Sequence, residues 1–220
     1  MSESTTKICI FDNVLPPTLV ENAYEIFQAH RIAAGTVYLP VEYIDYEEQL
    51  LTKLSSCVAE PAAALLAKYC TSLYRCATRV FDQQLDGLEI WTNCSIKCDH
   101  NVWLHVDNDE MHRKETGELK HPHFGSVLHL GPIAGMRGGE TFFCLSNEPK
   151  LDNITFKTLP WGLVSTVVMG SGMTVPFRAG RTILFDGRLP HCVLPFTFED
   201  EHKPRLTLLV NGWLNRIKLA

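Results

Sequence analysis

The second half of the sequence is a succession of short β-prone segments separated by turn residues, and this pattern restricts the fold more than any other feature. We recognise eight segments: Leu88–Ser95, Val102–Asp107, Phe124–Leu130, Glu140–Leu145, Leu163–Val168, Arg181–Phe185, His191–Phe196 and Arg205–Gly212, with Thr174–Phe177 as an extension of the set. Turns such as Gly138-Gly139 and Asp186-Gly187 lie between them. Short strands at this spacing predict an antiparallel sandwich or barrel.

The first 86 residues differ in character, because helical periodicity predominates there. The predicted elements are a strand over Lys7–Phe11, a helix from Pro16 to about His30, a β-rich segment over Gly35–Ile44, and helices over Glu47–Val58 and Pro61–Cys76. Helices followed by antiparallel strands predict an α+β, mainly β fold: a double-stranded β-helix (jelly-roll) core with N-terminal supporting helices. We expect a single domain over 1–220, in which 1–86 support a core at 87–213.

Composition limits the kinds of partner. The net charge of −5, with scattered Lys and Arg, disfavours nucleic acid and anionic membrane as partners. No run approaches the ~18 apolar residues of a membrane span, and the polar start lacks the apolar core of a secretory signal. The eight cysteines lie far apart, so we expect reduced thiols in a cytoplasmic protein.

Three side chains in the β-rich half have the chemistry of a metal site. His105 and Asp107 are two residues apart, so on a strand they face the same way, and His191 begins a later strand after a turn. Two imidazoles and one carboxylate form the facial triad that binds a redox metal and leaves other positions open. A solvated strand end is the alternative interpretation of the His-x-Asp pair alone.

The last predicted strand alternates between polar and apolar residues. Arg205 and Thr207 share one face, whereas the other face is apolar and carries Leu206, Leu208 and Val210. An arginine directed into a barrel is costly unless it meets an anion. That anion is either a dicarboxylate cosubstrate or an acidic side chain in an internal salt bridge.

Taken together, these residues resemble the Fe(II)- and 2-oxoglutarate-dependent oxygenases, specifically their prolyl-4-hydroxylase-like branch, over Phe11 to Trp213. The segments that carry the resemblance are Phe11–Pro17 before a helix, His105–Asn108, Gly138–Phe143 (Gly-Gly-Glu-Thr-Phe-Phe), Val175–Arg181 running into Ile183–Phe185, His191, and Arg205-x-Thr207. The resemblance implies that His105, Asp107 and His191 bind Fe(II). It also implies 2-oxoglutarate and O2 as cosubstrates, with Arg205 and Thr207 holding the far carboxylate of 2-oxoglutarate.

The sequence departs from the family pattern in three places. Arg205 comes fourteen positions after His191, a longer gap than usual, and we expect the extra residues at 197–202 to form a surface hairpin. His129 stands where the branch often has a tyrosine that contacts 2-oxoglutarate. The anchor is arginine rather than the lysine of collagen-type enzymes, which weakens the case for a collagen-like substrate.

The reaction implied by the resemblance is an oxidation. Family members that halogenate have glycine or alanine in place of the carboxylate ligand, whereas Asp107 is present here. The resemblance therefore implies a hydroxylase-type dioxygenase, which decarboxylates 2-oxoglutarate to succinate and CO2 while it oxidises a C–H bond.

The substrate is less constrained by the sequence. We expect a small polar metabolite such as an amino acid or derivative, contacted by Trp91, Asn93, Trp103 and Asn108, although both tryptophans also suit a plain core. One alternative is a peptidyl (prolyl-type) hydroxylase; another is a cupin-like metal-binding jelly roll that does not use 2-oxoglutarate, with His121-Pro122-His123 as half of its site. A zinc site at Cys94, Cys98 and His100 has only loosely suitable spacing. The sequence does not predict the oligomeric state.

Overall fold

Antiparallel pairing of strands that are distant in sequence organises the molecule. The structure is a computed structural model that describes residues 7–29, 35–95, 104–145, 172–199 and 203–219. The elements are β1 Ile8–Phe11, α1 Pro17–Ala29, β2 Thr36–Pro40, a 3-10 turn Val41–Tyr43, α2 Glu47–Ser55, α3 Glu60–Phe81, β3 Gly87–Ser95, α4 Glu110–Thr116, β4 Phe124–Gly131, β5 Met136–Gly138, β6 Thr141–Cys144, β7 Gly172–Val175, β8 Thr182–Asp186, β9 His191–Val193, β10 Phe196–Phe198 and β11 Arg205–Trp213.

The larger sheet has six strands in the order β1-β8-β4-β11-β3-β2, all paired antiparallel. Strand β11 is long and lies between β3 and β4. The register of β11 against β4 shifts between Leu206 and Thr207, which is a β-bulge beside the polar residues of the strand. Bulges of this kind redirect side chains next to functional sites.

A smaller sheet of β7-β6-β9 and a two-stranded ribbon of β10 and β5 complete the strands of the described residues. The larger and smaller sheets share a buried apolar cluster that includes Val127, Ile183, Phe185, Phe143 and Val175. The rings of Phe143 and Phe185, one from each sheet, have centroids 4.8 Å apart. The two sheets therefore pack face to face, as in the predicted double-stranded β-helix.

The helices cover the opposite face of the larger sheet. Their buried side chains join Leu128, Leu206, Leu208 and Val210 in one large apolar cluster. The alternation predicted for the last strand is thus confirmed, since its three apolar residues face the helices. Helix packing on one face leaves the other face of the sheet for the polar residues.

Most predicted elements are present, with some changed boundaries. The third helix runs from Glu60 to Phe81 rather than over Pro61–Cys76, and the predicted strand over His191–Phe196 is divided into β9 and β10 by Pro195. Of the predicted strand Val102–Asp107, the described part contributes a single β-bridge at His105. The predicted strand Leu163–Val168 lies outside the described residues.

Two segments contain elements that the sequence did not predict. Of the predicted surface hairpin at 197–202, the described part begins within β10, Phe196–Phe198, which pairs with Met136–Gly138. The charged segment after Asp107 contains α4, which begins with the Asp109 side chain accepting the His112 N–H at 2.9 Å and ends at Gly117 with φ +78°. A capping aspartate and a left-handed glycine are sufficient to delimit one short helix.

Two further expectations concern the pairing of the cysteines and membrane-spanning helices. Seven of the eight cysteines belong to the described residues, and no two of these seven are joined by a disulfide. No helix in the described ranges has the length and apolarity needed to cross a membrane.

Candidate metal centre

The three side chains predicted as metal ligands come together at one end of the space between the sheets. His105 Nε2 lies 3.5 Å from Asp107 Oδ1, and His191 Nε2 lies 3.9 Å from Asp107 Oδ2. One nitrogen or oxygen atom from each residue lies within 4.8 Å of the other two. Two imidazoles and a carboxylate at this separation can bind a single metal ion from one side.

Backbone pairing brings the two histidines together although they are far apart in the sequence. His105 and His191 form an antiparallel β-bridge, and their imidazole centroids lie 4.4 Å apart. His191 begins β9, whose partner β6 fixes it in the smaller sheet. Asp107 follows His105 by two residues, which places its carboxylate beside the bridged pair of histidines.

The His191 ring is held in the tautomer that a metal ligand needs. Its Nδ1–H donates to the Leu189 carbonyl at 2.9 Å, so the lone pair is on Nε2, the atom nearest Asp107. The side chain is buried against Phe185. Burial, together with the charge of His105, lowers the pKa of His191 to about 4, so the imidazole is neutral at neutral pH.

Asp107 is the anionic member of the cluster. Burial opposes its ionisation, but the hydrogen bond from His105, the charge of His191 and the amide of Asn211 hold the pKa of Asp107 well below its ordinary value. Asn211 Nδ2 donates to Asp107 Oδ2 at 3.2 Å, and the backbone carbonyl of Asp107 accepts from His121 Nδ1 at 2.9 Å. A neutral histidine beside an ionised carboxylate is the state that binds a divalent cation, so the donor set fits Fe(II).

The cluster opens onto a cavity of about 190 Å³ between the sheets. Its described lining consists of Trp91, Asn93, His105, Asp107, Val127, Thr141, His191, Cys192, Val193, Arg205, Thr207 and Leu209. The lining thus combines the three metal-ligating side chains, a cation, polar hydroxyl and amide groups, and apolar walls. Such a mixture is typical of a site for a small polar ligand.

Arg205 is the buried cation of this cavity, with a relative exposure of 2%. Its guanidinium carbon lies 5.2 Å from the ring centre of Phe177 and 6.0 Å from that of Phe196, and its Nη2 approaches the Gly139 carbonyl at 3.5 Å. Thr207, two residues along β11, lines the same cavity. Aromatic faces restrict the guanidinium, so its donors have a fixed direction for a carboxylate ligand.

The structure brings some of the other predicted residues to the cavity and leaves others away from it. Trp91 and Asn93 line the cavity, as expected for substrate-binding residues. Asn108 is absent from the lining, and its amide donates to the Val106 carbonyl at 3.0 Å. Trp103 lies outside the described residues.

His129 is buried behind the cavity wall instead of forming part of it. Its Nδ1 accepts the Arg178 N–H at 3.1 Å, and its Nε2 lies 3.4 Å from Thr141 Oγ1. Burial lowers the pKa of His129 well below its ordinary value, so Nε2 carries the single proton and donates it to the threonine oxygen. His129 therefore lies outside the described lining and contacts the cavity wall through Thr141.

Among the residues that sequence reasoning missed at the site, Thr141 and Asn211 offer hydrogen bonds. Thr141 lines the cavity, and the signal for it was the Gly-Gly-Glu-Thr segment in which it lies. Asn211 contacts Asp107, but on the sequence it is one polar residue in a long strand. Only the pairing of β11 with its neighbours and the position of Asp107 reveal that contact.

Known proteins resemble the chain in structure. No protein-family model matches the sequence, and no curated protein is significantly similar to it. A prolyl-4-hydroxylase from Pseudomonas putida is 18% identical over 98% of this chain and 90% of its own, with a TM-score of 0.51. HygX from Streptomyces hygroscopicus, crystallised with nickel and 2-oxoglutarate, is 16% identical over 98% of this chain and 86% of its own, with a TM-score of 0.57. IDO from Bacillus thuringiensis is 13% identical, with coverages of 95% and 90% and a TM-score of 0.52.

At these identities the likeness concerns the fold. The paired sheets and the His-Asp-His cluster define a jelly-roll protein with a candidate metal centre between its sheets. Its fold is a double-stranded β-helix, which it shares with the prolyl-4-hydroxylase from Pseudomonas putida and with HygX.

Proposed function

We propose that the protein is an Fe(II)- and 2-oxoglutarate-dependent oxygenase that hydroxylates a C–H bond of a small polar metabolite, such as an amino acid or derivative. One observation carries this proposal: the His105-Asp107-His191 cluster and the buried Arg205 line the same cavity. A three-residue metal site with open positions and a fixed cation suits a chelating dicarboxylate.

Iron would be held by the imidazoles of His105 and His191 and the carboxylate of Asp107. When bound, Fe(II) supplies the redox chemistry that couples oxidative decarboxylation of 2-oxoglutarate to oxidation of a C–H bond. The residues contribute the ligand geometry. The Leu189 carbonyl fixes the His191 ring and the Asn211 amide fixes the Asp107 carboxylate, so both ligands keep their orientation.

The far carboxylate of 2-oxoglutarate would be held by Arg205 and Thr207. The guanidinium donates hydrogen bonds in a planar fork that matches a carboxylate, and the pair is strengthened because the cavity walls exclude water. Thr141 adds a hydroxyl donor on the facing sheet. Its oxygen accepts from His129, which leaves its proton free to point toward an anion.

A compact substrate is supported by the size of the site. The cavity of about 190 Å³ is smaller than the ~300–1,000 Å³ usual for drug-sized ligands. Trp91 and Asn93, on β3, offer an aromatic face and an amide to a polar substrate. With the −5 net charge, these features support a small-molecule partner rather than nucleic acid or membrane.

The proposed activity can be tested with purified protein that has been stripped of metal and reloaded with Fe(II). Conversion of 2-oxoglutarate to succinate is followed with and without a pool of amino acids and related metabolites. We expect succinate that depends on Fe(II) and rises with a member of the pool. Absence of both turnover and 2-oxoglutarate binding would overturn the proposal and favour a metal-binding jelly roll of another type.

Variants test the proposed metal ligands and the proposed 2-oxoglutarate anchor independently. His191→Ala should abolish turnover, with the surface variant His112→Ala as its control. Arg205→Lys should raise the KM for 2-oxoglutarate, whereas Arg137→Ala, on an 82% exposed side chain, should not. An unchanged KM in Arg205→Lys and Arg205→Ala would contradict the assigned anchor. Greater stimulation by a prolyl peptide than by any metabolite would instead favour the peptidyl hydroxylase.

A further inference from the structure

Asn211 connects the candidate metal centre to a second, half-buried carboxylate outside the described lining of the cavity. It lies near the end of β11, has a relative exposure of 3%, and donates from Nδ2 to Asp107 Oδ2 at 3.2 Å. The contact joins β11 of the larger sheet to the segment that carries Asp107, in which His105 bridges to His191 of the smaller sheet.

The second carboxylate is that of Glu89. Glu89 stands opposite Asn211 in the register of β3 and β11, so the two side chains project from neighbouring positions on the same face of the sheet. The other neighbour of Glu89 is the indole of Trp213, whose Nε1–H donates to Glu89 Oε2 at 3.1 Å. Trp213 is itself among the largest fully buried side chains, so this end of the chain of contacts is firmly packed.

These contacts determine how the Asn211 amide is oriented. An ionised carboxylate accepts hydrogen bonds and cannot donate them, so the amide nitrogen, with its two protons, must face Asp107. A series of side chains then runs from Trp213 through Glu89 and Asn211 to Asp107. Buried amides that are fixed from both sides have little rotational freedom.

We propose that Asn211 is a positioning residue for the metal centre, holding Asp107 by Oδ2 so that Oδ1 is presented to the metal, with Glu89 and Trp213 fixing Asn211 in turn. The inference rests on the proposed metal site. Outer hydrogen bonds to ligating carboxylates typically change metal affinity about 10- to 100-fold when they are removed. Without the amide, the carboxylate can rotate away from the two histidines, and metal binding must then restrict that rotation.

The test measures binding of Co(II) to the metal-free protein by its visible absorption under anaerobic conditions. Asn211→Leu replaces the amide with an apolar side chain of similar size, and we expect a roughly 10- to 100-fold weaker Kd for Co(II). Asn211→Ala provides a second, less bulky replacement. Trp213→Phe keeps an aromatic ring but removes the Nε1–H and part of the buried ring volume; because it acts through Glu89, it should weaken Co(II) binding by less than the Asn211 variants do.

A matched control comes from the opposite face of the same sheet. Ser126→Ala removes a buried hydroxyl that lies 3.1 Å from Tyr69 Oη, on a strand adjacent to β11, and it should leave the Kd for Co(II) unchanged. The melting temperature of each metal-free variant shows whether a loss of binding is merely a loss of folding. A positioning role predicts weakened Co(II) binding at an unchanged melting temperature.

The outcomes separate this inference from the proposed function. If the wild type binds Co(II) and turns over 2-oxoglutarate but both Asn211 variants bind Co(II) within about twofold of it, the positioning role is wrong and the function stands. If all variants and the wild type fail to bind Co(II), the metal site itself is wrong. Weaker binding in the Asn211 variants, with Ser126→Ala unaffected, supports the inference.

Discussion

His105 and His191 are joined by a reciprocal pair of backbone hydrogen bonds: the N–H of His105 donates to the carbonyl of His191 at 3.0 Å, and the N–H of His191 donates back at 2.8 Å. The bridge holds the two imidazoles side by side without any contribution from a metal. A site whose ligands are already in place loses less conformational entropy on binding. Because the bridge is made of backbone atoms, either side chain can be replaced while the bridge remains.

The first prediction concerns metal-dependent stability. Addition of Fe(II) or Co(II) at a hundredfold excess over its Kd should raise the unfolding free energy of the wild type by about 2.7 kcal/mol. His105→Ala should melt at the same temperature as the wild type without metal, but the metal-induced increase should disappear. Differential scanning fluorimetry with and without metal measures both quantities. His112→Ala, on the surface helix α4, should keep the full increase; if it also loses the increase, the metal binds elsewhere.

The second prediction concerns Thr141 and His129. Thr141→Val is nearly isosteric but lacks the hydroxyl, so it should raise the KM for 2-oxoglutarate about tenfold, as expected when one hydrogen bond to a charged group is lost. His129→Phe keeps the stacking on Phe177 but leaves the Thr141 hydroxyl without its fixed donor, so a smaller rise is expected. Steady-state succinate formation at varied 2-oxoglutarate measures both effects. An unchanged KM in Thr141→Val would show that the hydroxyl does not contact the cosubstrate.

Features that follow from a local sequence pattern could be predicted, whereas features that follow from contacts between distant segments could not. The assignment of the two faces of β11 was correct because a strand alternates with a period of two, which is a local property. Leu206 and Leu208 face the helices, while Arg205 and Thr207 face the cavity. Likewise, the ligand triad could be predicted because its residue types are chemically distinctive.

Other features depend on pairings that no local pattern specifies. His129 and Thr141 both face inward, but the strand positions that put Thr141 on the wall and His129 behind it follow from three-dimensional packing. The pairing of Phe196–Phe198 with Met136–Gly138 joins two short segments with little alternation of their own. Helix α4 was missed because it is short and carries no apolar stripe, so only its caps mark it in the sequence.

The third prediction concerns the pH dependence of stability in the metal-free protein. Burial raises the pKa of Glu89 from 4.5 to about 7, with repulsion from Asp107 adding to the effect and the Trp213 and Asn211 hydrogen bonds offsetting part of it. Between these two values the folded protein retains a proton that the unfolded chain releases. The unfolding free energy contributed by Glu89 therefore falls as the pH rises from about 4.5 to about 7.

Glu89→Gln carries no titratable proton and should lose this dependence. Relative to the wild type, the variant should be more stable at about pH 8 than at about pH 5, by at most roughly 1.4 kcal/mol for each unit of pKa shift. Urea denaturation at both pH values, followed by tryptophan fluorescence, measures the difference. As a control, Glu110→Gln, at an exposed position on α4, should change the unfolding free energy by the same small amount at both pH values. Parallel pH profiles for wild type and Glu89→Gln would refute the raised pKa.

The fourth prediction uses two glycines with nearly the same φ. Gly139 has φ +77° and Gly117 has φ +78°, a region that favours glycine, so alanine is strained at either position. Their surroundings differ. A Cβ at Gly139 would lie 3.4 Å from Arg205 Nε and 3.1 Å from the terminal methyl of Met136, whereas a Cβ at Gly117 would have no heavy atom within 4 Å. Gly139 also offers its carbonyl to Arg205 Nη2.

Gly139→Ala and Gly117→Ala should therefore both lower the unfolding free energy, by about 1–3 kcal/mol from backbone strain. Only Gly139→Ala should also raise the KM for 2-oxoglutarate, because its new methyl group would crowd Met136 and lie against Arg205, the proposed anchor of the far carboxylate. Urea denaturation gives the stability of each variant, and titration with 2-oxoglutarate gives the KM. Both variants carry backbone strain. The difference between their KM values therefore measures how closely Arg205 packs against the Gly138-Gly139 turn. Equal KM values for the two variants would mean that the position of Arg205 does not depend on this turn.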